Sequence, residues 1–228
     1  MSTSADTVPV VTIDGPSGSG KGTVSQRVAG EFGWHLLDSG ALYRLLACAA
    51  QRDGAGLDDA AVLADLAGRI EGEFTVTPDG TELVRLDGAD VTDVLRTEAT
   101  GNAASRLAAL PEVRTALLAW QRRFRRLPGL VADGRDMGTV VFPDAGLKVF
   151  LTARPEVRAE RRYKQLKDKG ITVSLEGIVE EVRARDERDR SREVSPLLPA
   201  HDALVIDNSD QEIDVTVVEI IRKIRATF

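Results

Sequence analysis

A short apolar run that stops in a cluster of glycines constrains this chain more than any other feature. The run is Val10-Val11-Thr12-Ile13, and its unbroken, mostly β-branched character is typical of a buried strand. The segment that follows has the spacing Gly-x-x-x-x-Gly-Lys and leads into helix-forming residues. This combination is typical of a loop that binds phosphate groups. The alternative is a glycine-rich turn that only joins a strand to a helix.

The predicted phosphate loop comprises Gly15, Pro16, Ser17, Gly18, Ser19, Gly20, Lys21, Gly22 and Thr23. Its glycines permit backbone conformations in which successive N–H groups converge on one anion, and the next helix adds the positive end of its dipole. Lys21 would supply a mobile charge for the β and γ phosphates, and Thr23 a hydroxyl near a magnesium ion. Because Gly22 stands where many such loops have serine or threonine, the segment resembles nucleoside monophosphate kinases more than GTPases or motor ATPases.

Composition bounds the class of protein. The 228 residues are 43% hydrophobic and 29% charged, which suits one soluble globular domain with inserts and excludes wholesale disorder. A formal net charge of −6 argues against a general nucleic-acid binder. Cys48 is the single cysteine, so the chain alone can build neither a disulfide nor a cysteine zinc site.

The sequence shows neither a membrane-spanning segment nor a secretory signal. The longest unbroken apolar run, Leu45 to Ala50, is far shorter than the roughly 20 residues that span a bilayer, so we expect no membrane helix. Residues 1–7 form a polar tail without the basic start and apolar stretch of a secretory signal. We therefore expect a cytoplasmic location.

The apolar pattern predicts an α/β fold built on a parallel sheet. The predicted strands are Val8–Ile13, Trp34–Leu37, Leu130–Ala132, Leu147–Leu151 and Ala203–Ile206. Because strand, loop, helix and strand follow one another at the start, the sheet is expected to be parallel with helices on both faces. Residues 39–126 lie between the second and third of these strands and are predicted to be an insertion.

Helices and one hairpin are predicted around these strands. Helical periodicity runs over Ser39–Gln51, Asp58–Arg69 and from Pro111 onward, while alternation within Glu71–Gly88 predicts a hairpin with a turn at Pro78-Asp79-Gly80. Beyond the fourth strand, a helix starts at Pro155 and a highly charged one covers Ser174–Arg192. Ser209 to Glu212 has the spacing of a capping box for the last helix.

A group of arginines indicates where a phosphoryl group could be transferred. Transfer to an anionic acceptor requires positive charges that arrive from several segments of the chain. The candidates are Arg44, Arg135, Arg158, Arg161, Arg162, Arg185, Arg188 and Arg192. The alternative for the Arg183 to Arg192 run is a solvent-exposed helix face held by local pairs such as Asp186 with Arg190.

Arg135 and Asp133 follow the third predicted strand. Ligands of open α/β sheets bind at the carboxyl ends of the strands, so both residues are candidates for the active site. Asp133 could hold magnesium through water, and the alternative is an aspartate that caps or forms a turn.

Four segments together carry a resemblance to a known family. They are residues 13–23 (IDGPSGSGKGT), 36–44 (LLDSGALYR), 132–139 (ADGRDMGT) and 185–190 (RDERDR), and together they resemble bacterial cytidylate kinases without a departure in these motifs. The resemblance implies transfer of the γ-phosphoryl group of ATP to CMP or dCMP, with Mg²⁺. It also implies a three-layer P-loop NTPase-type α/β sandwich with a five-stranded parallel sheet, in a monomer that acts on small nucleotides.

The resemblance also implies a domain plan. Residues 8–228 would form a single P-loop kinase domain, with a nucleotide-binding insert over about 39–126 and a short lid over about 154–172, preceded by the tail 1–7. Arg158, Arg161 and Arg162 would belong to the lid.

Site residues follow from the resemblance position by position. It assigns the acceptor phosphate to Arg44, Arg135 and Arg192, cytosine to Ser105, Arg114 and Asp136, and the sugar to Ser39, Arg185 and Asp189. It assigns catalytic roles to Lys21, Arg135, Arg162 and Arg192, and metal binding to Thr23 and Asp133.

The chemistry of cytosine agrees with that assignment. Cytosine presents an amino donor at N4 beside acceptors at N3 and O2, so a site for it requires a carboxylate next to an arginine, which Asp136 and Arg114 can provide. Without the resemblance, a surface arginine on a helix is the favoured interpretation of Arg114.

Other functions fit less well or differ only in the acceptor. A GTPase would need an Asn-Lys-x-Asp motif, but Asn102 and Asn208 are followed by Ala and Ser. A non-catalytic nucleotide-binding module would lack the acceptor arginines, which are present. Phosphorylation of another small acceptor, such as UMP or AMP, remains open.

Overall fold

The computed structural model describes residues 8–76, 82–168 and 170–228. The predicted tail 1–7, the predicted turn Pro78-Asp79-Gly80 and Lys169 lie outside these ranges. The chain divides into two compact units. The first, here the sheet unit, comprises the chain up to Leu37 together with Arg122–Phe228, and the second, here the inserted unit, comprises Asp38–Gln121.

The elements are numbered along the chain. The strands in the described ranges are β1 (Val10–Asp14), β2 (His35–Asp38), β3 (Gly72–Val76), β4 (Glu82–Leu86), β5 (Ala89–Asp90), β6 (Leu130–Gly134), β7 (Leu147–Thr152) and β8 (Leu204–Asp207). The helices there are α1 (Lys21–Phe32), α2 (Ser39–Asp53), α3 (Ala60–Arg69), α4 (Thr92–Leu95), α5 (Glu98–Leu107), α6 (Pro111–Arg122), α7 (Pro155–Asp168), α8 (Leu175–Arg190) and α9 (Ile213–Thr227). A π-helical turn covers Met137–Val141.

A sheet with the strand order β2-β6-β1-β7-β8 forms the centre of the sheet unit. β1 pairs in parallel with both β6 and β7, with Ile13 opposite Asp133 and Val149, and β7 pairs in parallel with β8. Every residue of β1 and β6 is buried, which explains why β1 reads as an unbroken apolar run. The predicted α/β fold with a five-stranded parallel sheet is confirmed.

The core of the sheet unit lies between the sheet and two helices. Val24 and Val28 of α1 and Ile220 of α9 pack against buried residues of β1, β6 and β7. α7 and α8 pack mainly on each other, around a separate small cluster of Ala159, Leu166 and Ile178. These two charged helices therefore share little of the main apolar core.

The inserted unit is built on a buried helix and a small sheet. α2 is buried over most of its length, including Cys48, and packs against α3, α4 and α5. The antiparallel sheet has the order β3-β4-β5, and a Cβ on Gly72 would lie 2.5 Å from Leu45 Cδ1. β5 and α4 are short and α5 is made mostly of small and polar residues, and the sequence did not predict them.

Two predictions about helix ends are wrong. α9 begins at Ile213 without a side-chain cap, because Ser209 instead bonds Asp207 Oδ1 through its N–H and hydroxyl, and its Oγ accepts from Arg154 N–H. α8 ends at Arg190 rather than Arg192. No helix within 8–76, 82–168 and 170–228 is long and apolar enough to cross a membrane.

Two glycines of the sheet unit should respond oppositely to alanine. A Cβ on Gly129 would lie 2.5 Å from ring atoms of Trp34, so Gly129→Ala should destabilise by about 1–3 kcal/mol through overpacking. A Cβ on Gly30, in α1, meets nothing within 4 Å, so Gly30→Ala should stabilise by roughly 0.5–1 kcal/mol. Urea unfolding measures both changes, and equal shifts of the same sign would contradict this packing.

Candidate active site

The phosphate loop has a backbone that requires glycine at two points. At Gly15, φ is +155° and a Cβ would lie 2.0 Å from the carbonyl oxygen of Leu151, so only glycine lets the loop pass this close to β7. At Gly20, φ is +86° and α1 starts at the next residue. The predicted strand, loop and helix are therefore present, and the loop leads directly into a helix N-terminus.

Side chains from outside the loop hold its carbonyl groups. Asn208, which is fully buried, donates from Nδ2 to Ser19 O at 2.9 Å, and Arg158 donates from Nη1 to Ser17 O at 2.9 Å. The C=O and N–H of a trans peptide point in opposite directions, so carbonyls turned toward these donors leave the adjoining N–H groups directed elsewhere. An anion is the ligand that such N–H groups favour.

Lys21 and Asp133 lie together at the start of α1. Lys21 Nζ is 3.8 Å from Asp133 Oδ1 and 3.4 Å from Pro16 O. A Cβ on Gly22 would lie 3.4 Å from Asp133 Oδ2, so the carboxylate approaches the first helical turn closely. This distance is ordinary van der Waals contact, so it does not by itself require glycine after the lysine.

The same region offers oxygen ligands for a divalent cation. Thr23 is exposed and Asp133 is only 6% exposed, and both carry the hard oxygen atoms that Mg²⁺ prefers. Among the described parts of the chain, no group of three or more His, Cys, Asp or Glu side chains could hold a metal ion. Magnesium in phosphoryl-transfer sites usually takes phosphate oxygens and water beside one or two protein oxygens, which Thr23 and Asp133 could supply.

Asp14, which the sequence reasoning missed, joins the phosphate loop to the segment after β6. Its two carboxylate oxygens accept hydrogen bonds from the N–H groups of Met137 and Gly138, each at 2.8 Å. Burial raises the pKa of Asp14 to about 7, against the lowering effect of the two N–H groups, and the charges of Asp136 and Asp133 add to the rise. In the sequence, only the position of Asp14 at the end of an apolar strand could have indicated that it belongs to the site.

A carboxylate between two arginines lies near the end of α8. Arg135 Nε donates to Asp189 Oδ2 at 2.9 Å, and Arg192 Nη2 pairs with Asp189 Oδ1. Burial alone would raise the pKa of Asp189, but the charges of Arg135, Arg192 and Arg185 outweigh it and lower the pKa. The three predicted site residues Arg135, Asp189 and Arg192 are therefore brought together as a cluster with net positive charge.

The other charged residues of α7 and α8 divide into buried and exposed groups. Asp186 is buried and pairs with Arg158, so the alternative in which it pairs with Arg190 on a solvent-exposed face is wrong. Arg188 is exposed, whereas Arg185 and Arg162 are half-buried. Arg162 Nη1 lies 3.4 Å from Gln165 Oε1 on the same helix.

A cavity of about 430 Å³ lies beside the phosphate loop. Its lining residues are Val157, Glu160, Arg161, Ser209, Asp210, Gln211, Glu212 and Ile213. Arg161 donates to the side-chain and backbone oxygens of Asn208 at 3.0 and 2.8 Å, and Asn208 in turn holds Ser19. The sequence reasoning did not find this cavity, because its walls come from α7 and the loop before α9 and share no motif.

Four predicted site residues belong to the inserted unit. Arg44 on α2 donates to Leu95 O at 2.8 Å, and its Nη2 lies 2.9 Å from where a Cβ of Gly101 on α5 would be. Ser105 lies one turn further along α5. Its buried hydroxyl has no hydrogen-bond partner among the described residues, and such a group favours contact with a ligand or water.

The remaining two residues of that set have defined partners. Arg114 is half-buried and donates to Ala108 O at 3.1 Å. Ser39 is buried at the start of α2, and its Oγ accepts from Gln121 Nε2 at 2.9 Å. The Ser39 hydroxyl hydrogen is still available to donate.

Comparison with known proteins gives one family. The family model described as cytidylate kinase matches residues 11–226. The cytidylate kinase of Aeromonas hydrophila is 55% identical over 213 residues, covering 93% of this chain and 92% of that protein. That of Aeromonas salmonicida is 57% identical over 206 residues, covering 90% and 89%. That of Pseudomonas putida is 55% identical over 219 residues, covering 96% and 94%.

The buried Asp14 carboxyl should make stability depend on pH. Because its pKa is about 7 in the folded protein against an ordinary 3.8, the folded state keeps a proton that the unfolded chain releases between these values. The resulting stabilisation is complete below pH 3.8 and is lost as the pH rises through about 7. From about pH 5 to about pH 8, wild type should lose roughly 2.5 kcal/mol relative to Asp14→Asn. Urea unfolding of both proteins measures this difference, and a difference that is constant with pH would contradict it.

Proposed function

Because the chain belongs to the cytidylate kinase family, we propose that it transfers the γ-phosphoryl group of ATP to CMP or dCMP, giving ADP and CDP or dCDP. The observation that carries this proposal is the pairing of a phosphate loop with the Arg135, Asp189 and Arg192 cluster in one unit. A nucleotide-binding module that does no transfer has no need of a second, positively charged cluster.

The donor nucleotide is assigned to the loop and the cavity beside it. The N–H groups of residues 15–23 and the start of α1 would bind the ATP phosphates, with Lys21 on the β and γ groups. The cavity lined by Arg161 and Ile213 would receive the adenine end, since it adjoins the loop through Asn208. Thr23 and Asp133 would hold Mg²⁺, which neutralises charge on the phosphates.

The contacts with the acceptor nucleotide are those that the family resemblance assigns, taken here one unit at a time. In the inserted unit, Arg44 would bind its phosphate, Ser105 and Arg114 its base and Ser39 its sugar. In the sheet unit, Arg135 and Arg192 would bind the phosphate, Asp136 the base, and Arg185 and Asp189 the sugar. The lowered pKa of Asp189 keeps it ionised at neutral pH, so it can accept from a sugar hydroxyl as well as order the two arginines.

The catalytic roles follow from where charge moves during the transfer. Lys21, Arg135, Arg162 and Arg192 would stabilise the migrating phosphoryl group, because positioning and charge neutralisation provide most of the rate enhancement in such reactions. We further infer a nucleotide-binding insert over about 39–126, a lid over about 154–172, and a cytoplasmic monomer.

The direct test is ADP release from ATP with each nucleoside monophosphate in turn. CMP and dCMP should support turnover far better than UMP, AMP or GMP. Lys21→Ala should lower kcat at least about a hundredfold with an unchanged circular dichroism spectrum, because the lysine supports transferred charge and no core packing. Lys223→Ala on α9 is the matched control and should keep full activity. If AMP or UMP is phosphorylated in preference to CMP, that nucleotide is the acceptor and the assignment to CMP is wrong.

The choice of base provides a sharper prediction, which concerns Asp136. Its side chain is 4% exposed and makes no capping hydrogen bond to the π-helical turn that follows it. If Asp136 accepts from the cytosine N4 amino group, UMP is disfavoured because its O4 faces a carboxylate and its N3–H faces Arg114. Unpaired buried groups cost about 1–3 kcal/mol each, so kcat/KM should favour CMP over UMP by roughly a hundredfold or more.

Asp136→Asn should reverse part of that preference. Its amide NH₂ can donate to O4 of UMP, so CMP turnover should fall and the gap to UMP should narrow. The measurement is kcat/KM for CMP and UMP in wild type and in the variant. Asp144→Asn, which removes an exposed carboxylate paired with Arg125, is the control for lost charge and should leave the ratio unchanged. An unchanged ratio in Asp136→Asn would mean that the base is recognised elsewhere.

A further inference from the structure

We propose that Arg158, paired with Asp186, is a positioning residue that aligns the phosphate loop with the acceptor arginines at the end of α8. This inference rests on the proposed phosphoryl transfer and adds a role that the acceptor and donor contacts do not include. Neither residue needs to touch a nucleotide. Both act through the groups that they hold.

Arg158 is buried and connects three parts of the sheet unit. Its side chain is 1% exposed. Nε donates to Ala153 O at 2.8 Å, just beyond the end of β7, and Nη1 donates to Ser17 O in the phosphate loop at 2.9 Å. Nη1 also donates to Asp186 Oδ1 at 3.0 Å, while Nη2 pairs with Asp186 Oδ2. One guanidinium thus joins the sheet, the loop and α8.

The backbone of the phosphate loop also packs against Arg158 itself. A Cβ on Gly18 would lie 3.1 Å from Arg158 Cβ and 3.4 Å from Arg158 O. The loop backbone therefore packs closely on α7 at this residue. Since most N–H groups of the guanidinium already have protein acceptors, Arg158 is suited to hold the loop rather than to bind phosphate.

On the other side, Asp186 connects to the acceptor cluster through one turn of α8. Asp186 and Asp189 lie at i and i+3, so they share a helix face, and they are 4% and 1% exposed. Asp186 holds Arg158, whereas Asp189 holds Arg135 and Arg192. Two neighbouring buried carboxylates on one helix thus orient the donor loop and the acceptor arginines.

A role in stability alone does not explain this pair. A buried ion pair loses solvation that its attraction often fails to recover, so an apolar pair of similar volume is commonly as stable. The pair instead provides orientation, because the guanidinium N–H groups of Arg158 bind Ser17 O and both Asp186 carboxylate oxygens at the same time. Placement matters here, because a misplacement of about 1 Å can lower a transfer rate on the order of a hundredfold.

The chain supplies a matched control on the same two helices. Arg183 of α8 pairs with Glu156 of α7 at 2.8 Å, but their side chains are 63% and 55% exposed. This surface pair joins α7 to α8 without contacting the phosphate loop. Removing it tests whether any link between the two helices would have the same effect.

The test compares Arg158→Lys, Asp186→Glu, their double variant and Arg183→Gln. The first two keep the charges but disturb the fork geometry, and urea unfolding identifies conditions in which each variant is folded. Per folded molecule, each of the first two should lower kcat at least about tenfold at saturating ATP and CMP. The double variant should be less impaired than the product of the two single effects, because the pair acts as one unit. Arg183→Gln should match wild type.

A second measurement reports the loop without the acceptor. A fluorescent ATP analogue should bind Arg158→Lys with a Kd about tenfold higher than wild type, and Arg183→Gln with the wild-type Kd. Variants that unfold more easily but keep wild-type kcat and analogue Kd per folded molecule would overturn the positioning role. If Arg158→Lys fails to fold, Asp186→Glu decides by the same two measurements. Wild type that binds the analogue but phosphorylates no CMP would overturn the proposed function instead.

Discussion

The phosphate loop can face an anion only if its carbonyl groups are held on the other side. Buried side chains do this at Ser17 and Ser19, through Arg158 and Asn208. Both donors come from segments more than a hundred residues further along the chain, so the loop conformation depends on the tertiary structure and not on its glycines alone. The glycines make the conformation accessible, and the buried donors select it.

Buried carboxylates organise the positive charges around that loop. Asp14 holds the backbone after Asp136, Asp186 holds Arg158, and Asp189 holds Arg135 together with Arg192. Arginines without such partners would repel one another and spread into solvent. With them, the positive groups are held in place by the protein itself, so little reorganisation would remain for a phosphoryl transfer at this cluster. The high pKa of Asp14 and the low pKa of Asp189 show how differently two buried carboxyls behave when only one faces arginines.

The sequence predicted what depends on local pattern and missed what depends on distant contacts. The parallel sheet follows from the apolar runs and is confirmed, and the strand, loop and helix that the glycine spacing predicts are present. The helices α4 and α5 were missed because they are short or mostly polar, and the capping box failed because Ser209 bonds Asp207 and Arg154 instead. Asp14 and Asp186 were missed as site residues because their partners, Met137 and Arg158, are far from them in sequence. The nucleotide contacts assigned by family resemblance stay predictions.

The hydrogen bond between Ser39 and Gln121 has a consequence for how the inserted unit could arise and be exchanged. These residues lie near the first and last positions of the unit in sequence, yet Gln121 Nε2 lies 2.9 Å from Ser39 Oγ in a buried position. The chain therefore enters and leaves the inserted unit at one point, as domains inserted into a host loop commonly do. Such a unit can lengthen, shorten or be swapped for another with the host sheet keeping its own strand order, so the two units are free to diversify separately.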